Sequence, residues 1–360
     1  MKPYFETKLG TLYHGDCLDI LPGLPKVDLC LTDPPYMGCV QDDWDNQWAS
    51  DHSFLQFVKD LTTQFSQLLE DNGSLYFFAS SRLSSKIELV ISEQFNVLNH
   101  IVWSKGDSRN GVAGTGIDIT ALRKFWTATS ERLIFAEKFI SDSAYNSSIV
   151  YENSDYFSAC EKAKSSIMGE YLKSEFKKAG VSNRQIASLF PSKTGGVTGC
   201  VSNWLNGDNF PTKDQYLKIR EYLNMSGEYE YLRREYEDLR REYEDLRRPF
   251  YPLKNGPWGD VWVFNPPKKR FGHPCQKPFD LISHILKISS RKNDTVLDPF
   301  IGSGTTAVAC EQLRRRWIGI ELSEKYCEIA AKRIEKETAQ LDLFEDTKPI
   351  IKPKQEEMFA

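Results

Sequence analysis

The chain has 360 residues, of which 40% are hydrophobic and 27% are charged, and its formal net charge is −4. A chain of this length can bury a sizeable core and is expected to form about two domains. The small net charge excludes a disordered acidic protein and a surface that is basic throughout. Eight scattered cysteines without a C-x-x-C pair predict a reduced, cytoplasmic chain with no metal site. Because no apolar run reaches the roughly 18 residues of a membrane helix, no membrane partner is expected.

The first 140 residues alternate short apolar strands with polar or helical stretches. Strands are predicted for TLYHGD, VDLCLTD, SLYFFAS, NVLNHIVWSK and ERLIFAEK, with a turn at Asn72-Gly73 before the third. Such alternation favours a layered α/β sheet. A second set of strands, DTVLDPF and RRWIGIEL, each followed by a helix, appears only after residue 293. The two sets are therefore interpreted as halves of one interrupted sheet.

The stretch LTDPPYMGCV begins within the last residues of the second predicted strand. Pro34 forces Asp33 out of the helical region, and neither proline can donate a backbone hydrogen bond to a sheet. The chain must therefore leave the sheet in a stiff, extended form that exposes the carbonyl groups of Asp33 and Pro34. A structural turn would explain two prolines alone, but not the whole string Asp33-Pro34-Pro35-Tyr36.

The middle of the chain has a different character. Between Lys162 and Arg220 there are ten Lys and Arg but only four Asp and Glu, a local excess of six positive charges. SNRQIASLF begins with a capping box of Ser182 and Gln185, and VTGCVSNWLNG is predicted as a second short helix. The pair fits a helix-turn-helix with residues 197–205 in the recognition position. An ordinary helical hairpin explains the same pattern equally well.

Three heptads, EYEYLRR, EYEDLRR and EYEDLRR, fill residues 228–248. Their tyrosines and leucines alternate at 3-4 spacing and predict one helix, which Pro249 and Pro252 terminate. Three heptads are short for an independent coiled coil, so a spacer helix that lies on the protein is favoured over a dimer zipper.

Two features near the carboxyl end are typical of a nucleotide-type cofactor site. In LDPFIGSGTTA, Gly302 and Gly304 lie at a strand-to-helix turn, where the backbone must approach a ligand closely. Glu321 ends the next strand and is placed to bind two ribose hydroxyls. The loop reads G-S-G-T rather than G-x-G-x-x-G, so the spacing does not specify which cofactor binds.

Four motifs together resemble the β group of S-adenosylmethionine-dependent DNA amino-methyltransferases: DPPY at 33–36, HPCQKP at 273–278, DPFIGSGTT at 298–306 and GIEL at 319–322. The resemblance implies an α/β fold, a circularly permuted Rossmann-like methyltransferase sheet of seven strands with helices on both faces. It also implies a catalytic half at 1–140, a target-recognition insert at 141–257, a cofactor-binding half at 258–335 and a flexible tail at 336–360.

The resemblance assigns catalysis to Asp33, Pro34, Pro35 and Tyr36. An exocyclic amine of a base is a poor nucleophile because its lone pair is delocalised into the ring. The Asp33 carboxylate and the Pro34 carbonyl can hold its two hydrogens, which favours a tetrahedral nitrogen that points at the methyl donor. Tyr36 would stack on a base flipped out of the duplex. WDNQW, residues 44–48, is interpreted either as a loop that closes over that base or as core tryptophans.

The resemblance also implies the S-adenosylmethionine site. Asp16 would lie near the adenine, Glu321 at the ribose, and Phe300, Gly302 and Gly304 along the methionine and ribose. The remaining cofactor residues carried over from the motifs are His273, Lys277, Asp298 and Thr305.

Family members with aspartate before the prolines mostly methylate adenine N6, and those with serine mostly methylate cytosine N4. Asp33 therefore favours N6 of adenine in double-stranded DNA, with N4-cytosine as the alternative. A DNA-binding protein with an inactive methyltransferase fold is a further alternative, and an RNA substrate also fits the motifs. Predicted DNA contacts in the insert are Arg184, Lys193, Ser202, Asn203 and Asn206.

The tail contains AQLDLF, which resembles the Q-L-x-L-F peptides that bind the bacterial sliding clamp. The predicted anchors are Gln340, Leu341, Leu343 and Phe344, in a stretch expected to be disordered. The other interpretation is that the leucines and the phenylalanine cover the core from a final helix. Relatives of the β group are often dimers, so a homodimer is also predicted.

Overall fold

The computed structural model describes residues 2–38, 43–106, 129–138, 165–192, 196, 198–225, 229–246, 249–253, 256–257, 259–267 and 271–345. The chain forms two compact units. The first, here the catalytic unit, comprises Met1–Lys138 and Pro249–Ala360, and the second, here the insert, comprises Phe139–Arg248.

Nine strands in the described part of the catalytic unit form one sheet. They are β1 (Phe5–Glu6), β2 (Gly10–His14), β3 (Val27–Thr32), β4 (Leu69–Ala79), β5 (Phe95–Ser104), β6 (Ser130–Lys138), β7 (Val261–Val263), β8 (Thr295–Asp298) and β9 (Arg316–Glu321). Their spatial order is β1-β2-β9-β8-β3-β4-β6-β5-β7. The carboxyl-terminal strands β8 and β9 therefore lie between β2 and β3, and the prediction of one interrupted sheet is confirmed.

Strand direction determines which residues share an edge of this sheet. The strands from β2 through β9, β8 and β3 to β4 are parallel, whereas β6 is antiparallel to both of its neighbours. The first residues of β6 therefore lie at the edge where the parallel strands end. The sheet has two strands more than the predicted seven, the two-residue β1 and the three-residue β7 at its opposite edges.

Helices cover both faces of the sheet, as predicted. One face packs against α1 (Cys17–Ile20), α2 (Asp51–Leu68) and α3 (Ser84–Ile91) through a core that includes Phe54, Phe65 and Phe77. The parallel strands are nearly continuous apolar runs because both of their faces are buried. The helices of the other face follow the insert in sequence.

The insert is a bundle of short helices with its own core. After one π-helical turn, Ser165–Gly169, come α4 (Glu170–Lys178), α5 (Asn183–Ser188), α6 (Cys200–Asn206), α7 (Lys213–Leu223) and α8 (Tyr236–Leu246). The predicted capping box of Ser182 and Gln185 opens α5. Ile186 of α5 and the buried face of α6, Val201, Trp204 and Leu205, share one core. Helix α6 begins three residues later than the predicted segment 197–205, because Gly199 occupies its amino-terminal cap.

The prediction of a helix over residues 228–248 is wrong for the first heptad. Helix α8 begins only at Tyr236. Before it, the side chain of Asn224 accepts from Tyr231 N, and the buried carboxylate of Glu175 accepts from Leu232 N. These bonds hold Leu232 at φ 50°, which interrupts a helix. The side chains of Tyr236, Leu239 and Tyr243 are buried in the insert's own core, so the heptad stripe packs within the chain.

Three helices cover the second face of the sheet: α9 (Phe279–Ser289), α10 (Thr305–Leu313) and α11 (Glu324–Glu345). Helix α11 continues ten residues past the predicted domain boundary at 335, through the segment that was expected to be disordered. Its residues are mostly good helix formers, and Ile334 anchors it in the core. The side chains of residues 340–345 and all of 346–360 lie outside the described residues.

Two other predicted boundaries differ from the structure. Residues 249–257 were assigned to the insert, but the catalytic unit begins again at Pro249, where Tyr251 N donates to Ile288 O and Phe250 stacks on Phe135. The predicted turn at Asn72-Gly73 lies inside β4, where the pairing with β3 changes register. Among the described residues, no helix is long and apolar enough to span a membrane.

Candidate active site

The DPPY segment leaves the sheet at the end of β3. Pro34 and Pro35 are buried, whereas Asp33 and Tyr36 are partly exposed. The chain then turns sharply, because Met37 and Gly38 both adopt positive φ, 60° and 87°. The buried carboxylate of Asp45 holds this turn by accepting from Tyr36 N at 2.6 Å and Met37 N at 2.9 Å. A strained conformation at a non-glycine residue persists only when its surroundings fix it, and Asp45 does so here.

The two tryptophans of WDNQW have different surroundings. Trp48 packs against Phe54 and Phe57 in the core. Trp44 instead stacks on the His273 ring, with 6.2 Å between the ring centroids. The segment therefore links the turn after DPPY to the HPCQKP motif.

Asp33 belongs to a buried cluster of charges. Its carboxylate accepts from Lys277 Nζ at 2.6 Å and from the Tyr36 hydroxyl at 2.9 Å. Lys277 Nζ also lies 3.2 Å from Glu131, whose side chain is 15% exposed. The Lys277 side chain is only 8% exposed, and its ammonium lies 5.0 Å from the ring centroids of Tyr36 and Phe78. Sequence analysis placed Lys277 in the cofactor site, but its ion pairs are with these two carboxylates.

Burial and neighbouring charges shift the pKa values of this cluster in different directions. Burial raises the pKa of Asp33, and the charge of Glu131 adds to that increase, although Lys277 opposes it. Burial alone would raise the pKa of Glu131 as well, but the charges of Lys277 and Lys105 outweigh it and lower the pKa to about 2. Burial lowers the pKa of Lys277, yet the two carboxylates outweigh it and leave the pKa raised. Lys277 and Glu131 are therefore charged, and Asp33 is the group of this cluster that protonates first as pH falls.

The glycine loop lies between β8 and α10, and two of its glycines adopt positive φ. Gly302 has φ 53°, and a Cβ there would lie 3.2 Å from the His273 ring. Gly304 has φ 79° and forms the amino-terminal cap of α10. A side chain at either position would be strained, and at Gly302 it would also crowd His273.

Two acidic residues fix the backbone of this loop. Asp298 accepts from Thr306 Oγ1 at 2.6 Å and from Phe300 N at 3.1 Å, and burial raises its pKa to about 7. Glu321 accepts from Gly302 N at 3.0 Å through Oε2 and from Ser323 N at 2.9 Å through Oε1. A carboxylate has about four lone-pair sites, so Glu321 can still accept from a ribose hydroxyl.

Arg333, on α11, holds the same loop through hydrogen bonds. Its guanidinium donates to Thr305 Oγ1 at 2.9 Å and to Ser303 O at 3.1 Å. The guanidinium also lies over the Phe271 ring, 4.3 Å from its centroid. Arg333 is 7% exposed, so a buried cation beneath the loop links it to α11.

One cavity joins three of the four sequence motifs. It is open to solvent, has an empty volume of about 380 Å³, and is lined by Asp33 of DPPY, by His273 and Lys277 of HPCQKP, and by Phe300 and Gly302 of the glycine loop. Asp298 and Thr305 also line it. Glu321 is linked to the cavity through Gly302. Asp16 is exposed and caps α1, one residue beyond the Gly15 N–H that donates to Glu321 O.

The cavity fits S-adenosylmethionine chemically. Its wall combines an aromatic ring, a loop without side chains at Gly302, and carboxylates that complement a sulfonium cation. Asp16, Phe300, Gly302 and Glu321 are the residues that would hold the group.

The predicted DNA contacts lie in the insert. Arg184 is exposed on α5, and Ser202, Asn203 and Asn206 are exposed on α6. Lys193 lies outside the described residues.

Glu131, Asp45 and Arg333 belong to the site but were not predicted from the sequence. Asp45 lies within WDNQW, but the interpretation of that segment rested on its two tryptophans. Glu131 is the first charged residue of β6, and the antiparallel direction of that strand could have identified it as a neighbour of Asp33. Arg333 gives no local signal, because its partners lie 28 and 30 residues earlier in the chain.

A family model of N6/N4 methyltransferases, described as DNA methylase, matches residues 27–332, which is more than half of the chain. The chain belongs to this DNA methylase family. Its members are S-adenosylmethionine-dependent amino-methyltransferases, and the predicted family is confirmed.

Individual relatives match either a short segment or the whole chain. The Type II methyltransferase M2.DpnII of Streptococcus pneumoniae is 45% identical over 82 residues, which cover 22% of this chain and 31% of that protein. The chain thus matches about a third of the length of that relative. The DNA adenine methyltransferase YhdJ of Escherichia coli strain K12 is 23% identical over 92% of this chain and 84% of its own.

A solved structure supports the fold alone. The PvuII DNA methyltransferase, described as cytosine-N4-specific, superposes with a TM-score of 0.51 at 12% identity, over 94% of this chain and 95% of its own. The predicted Rossmann-like methyltransferase sheet is confirmed by this likeness.

Proposed function

We propose that this DNA methylase transfers a methyl group from S-adenosylmethionine to N6 of an adenine that is flipped out of double-stranded DNA. The observation that carries the proposal is that Asp33 and the glycine loop line one cavity. A methyl acceptor held by Asp33 would therefore lie next to a methyl donor held by Phe300 and Gly302.

Asp33 acts as an acceptor for the base amine. Two of its lone pairs are used by Lys277 and Tyr36, so the carboxylate is held in a fixed orientation while other lone pairs stay available for an amine N–H. The Pro34 carbonyl accepts the second hydrogen, and the buried prolines keep both acceptors rigid. S-adenosylmethionine supplies the methyl group on a positively charged sulfur. This is catalysis by position and charge, without a covalent intermediate.

Tyr36 contributes its ring to the base. Its hydroxyl lies within hydrogen-bond distance of both Asp33 and Glu131 and can donate its one proton to either, which anchors the ring at one end. A ring fixed in this way is a suitable platform for a flipped base, because stacking of a base on an aromatic side chain contributes roughly 1–3 kcal/mol.

Adenine is favoured over cytosine by two findings. The residue before the prolines is Asp33, and a relative that aligns with 92% of the chain is named a DNA adenine methyltransferase. The alternative of N4-cytosine is kept because both amines require the same two acceptors, and the PvuII enzyme has the same fold. An inactive fold is disfavoured because Asp33 to Tyr36, Gly302 and Gly304 are intact. Since the proposed substrate is DNA, the proposal places the protein in the cytoplasm.

The proposal is tested by incubating the purified protein with unmethylated genomic DNA and labelled S-adenosylmethionine, followed by digestion to nucleosides. We expect labelled N6-methyldeoxyadenosine. Labelled N4-methyldeoxycytidine would contradict the adenine assignment but not the fold or the mechanism. DNA binding without methyl transfer would support the inactive-fold alternative.

We also propose that the insert recognises the target site through a helix-turn-helix formed by α5 and α6. In α6, Val201, Trp204 and Leu205 are buried, whereas Ser202, Asn203 and Asn206 point to solvent. Amide side chains on an exposed helix face suit the reading of base edges in the major groove, and Arg184 on α5 suits a phosphate.

We expect Asn203→Ala to weaken binding of the preferred site by about 1–3 kcal/mol, because one base contact is lost, and to relax specificity at one position. Arg184→Met is expected to weaken binding to all DNA sequences by the same factor and to reduce the salt dependence of binding by about one counterion. Binding curves on preferred and scrambled duplexes at several salt concentrations measure both effects. Glu221→Ala, exposed on α7, is the control. If Asn203→Ala leaves the ratio of the two affinities unchanged, α6 does not read the site.

The sliding-clamp and homodimer assignments stay predictions. The backbone of the AQLDLF peptide lies in the last turns of α11, and the side chains of Gln340, Leu341, Leu343 and Phe344 lie outside the described residues. Leu343→Ala combined with Phe344→Ala is expected to abolish capture by immobilised clamp, because two apolar anchors are removed. Capture at the wild-type level would refute the assignment. Light scattering of the purified protein tests the homodimer.

A further inference from the structure

Glu131 is an acidic residue, 15% exposed, that none of the predicted catalytic or cofactor motifs contains. It lies at the amino end of β6, and because that strand is antiparallel, this end meets the edge of the sheet where β3 releases Asp33. The Tyr36 hydroxyl donates to Glu131 at 2.8 Å, Lys277 Nζ lies at 3.2 Å, and Lys105 Nζ lies at 2.7 Å. Every one of these partners is a hydrogen-bond donor.

Glu131 and Asp33 share two of their partners. Lys277 contacts both carboxylates, at 2.6 Å for Asp33 and 3.2 Å for Glu131. The Tyr36 hydroxyl lies within hydrogen-bond distance of both, at 2.9 and 2.8 Å. The four side chains therefore form a closed ring. Glu131 is the one member of this ring that lies outside the sequence motifs. Its ion pair with Lys105 links it to the end of β5.

We propose that Glu131 is a positioning residue of the methyl transfer, which holds Lys277 and Tyr36 so that Asp33 presents one fixed, unoccupied acceptor position to the base amine. This inference rests on the proposed function. Glu131 contacts the reacting amine only through Tyr36, Lys277 and Asp33. Its contribution is geometric. It also gives Lys277 a second carboxylate to pair with, so that the ammonium is not held by Asp33 alone.

The loss of Glu131 would change the ring in a definite way. In Glu131→Gln a neutral amide replaces the second carboxylate, so Asp33 becomes the only charged acceptor that Lys277 and Tyr36 share, and both would shift towards it. The amine of the base would compete with two donors that are no longer held by a second carboxylate. A displacement of about 1 Å at a reacting centre can cost roughly 100-fold in rate, so even a small shift matters.

The titratable groups that face Asp33 are Tyr36, Glu131, Lys277, Cys275 and Asp298. Among them, the charge of Glu131 raises the pKa of Asp33, after the larger effect of burial. Asp33 must be deprotonated to accept the amine, so activity falls as pH falls through its pKa. Removal of the Glu131 charge lowers that pKa, and the acid limb of the rate profile moves to lower pH.

The experiment compares Glu131→Gln with a matched variant of the same strand. Glu137→Gln changes a buried glutamate of β6, which accepts from Asn96 Nδ2 at 2.8 Å and lies far from Asp33 in the strand register. Wild type and both variants are assayed for methyl transfer to DNA over a range of pH, for S-adenosylmethionine binding by calorimetry, and for thermal unfolding.

For Glu131→Gln we expect kcat to fall about 10- to 100-fold, cofactor affinity to change less than about 3-fold, and the acid limb to move to lower pH. Glu131→Asp is expected to recover part of the rate, and Glu137→Gln to keep the wild-type rate and profile. In a Tyr36→Phe background the effect of Glu131→Gln should be smaller, because one shared partner is already absent.

Three results would overturn the inference: an unchanged kcat in Glu131→Gln, an acid limb that stays in place, or an equal loss of rate in Glu137→Gln. A lower kcat that appears only with a matching loss of folded protein would likewise assign Glu131 a structural role. If the wild-type protein itself transfers no methyl group, the proposed function fails, and this outcome is distinct from the others.

Discussion

Replacing Asp33 with alanine is expected to lower kcat for methyl transfer by at least about 100-fold. In the proposed mechanism the carboxylate is the acceptor that holds the amine of the base, and its removal would leave the lone pair of that amine delocalised in the ring. It also leaves Lys277, now paired with Glu131 alone, as a positive charge next to a nitrogen that becomes positive during the reaction. Both effects raise the barrier of the chemical step.

Cofactor binding should change far less than kcat, since the glycine loop is held by Asp298, Glu321 and Arg333 rather than by Asp33. The measurement is single-turnover methylation of DNA together with calorimetry of S-adenosylmethionine binding. Asp33→Asn keeps one acceptor oxygen and is expected to retain more activity than the alanine variant. Asp60→Ala, on the exposed face of α2, is the control. A single-turnover rate in Asp33→Ala within about 3-fold of wild type would remove Asp33 from the mechanism.

Lys277→Met should destabilise the catalytic unit by about 3–5 kcal/mol near pH 8. Methionine has a similar volume, so the main loss is the ammonium that lies 2.6 Å from Asp33 and 3.2 Å from Glu131. All three side chains are at most 21% exposed, so water cannot replace the missing cation effectively. Lys105 still contacts Glu131, which places the expected cost towards the lower end of the range.

The sign of the pH dependence follows from the pKa shifts. The pKa of Glu131 is lowered to about 2, so its stabilising ion pairs are present above its ordinary pKa and are lost only as pH falls towards 2. The pKa of Lys277 is raised, so its stabilisation is present below its ordinary pKa and is lost as pH rises through the raised value. In Lys277→Met the two carboxylates lose their shared cation and take up protons more readily as pH falls. The difference in stability from wild type should therefore be largest between about pH 7 and 9 and smaller near pH 5.

Thermal unfolding at pH 5 and pH 8 measures this effect, with hydrogen exchange of β3 and β6 to assign it to the catalytic unit. Lys287→Met, an exposed change on α9, serves as the control and should shift stability by less than about 0.5 kcal/mol. An equal shift at both pH values would show that lost packing, rather than unpaired carboxylates, causes the destabilisation.

Much of the fold was predictable because its signals are local. The apolar runs of β3, β4, β8 and β9 are nearly continuous, since these strands are buried on both faces, and each was placed within a few residues. The heptad stripe was less reliable. Its 3-4 spacing persists through Leu232, but backbone hydrogen bonds to the side chains of Glu175 and Asn224 override helix propensity there. Propensity is a weak determinant wherever buried polar groups offer the backbone other partners.

What the sequence by itself determined is the conformation that adjacent residues impose: the stiff exit from the sheet at Pro34 and Pro35, the strand-to-helix turn at Gly302 and Gly304, and the capping box at Ser182. These depend on steric limits and hydrogen bonds between neighbours, so a short string is sufficient to predict them. Only the tertiary structure decided that Lys277 pairs with Asp33 across 244 residues, and that Glu131 completes the cluster. Those contacts depend on the order, direction and register of strands, which are determined by burial of both sheet faces and not by any local pattern.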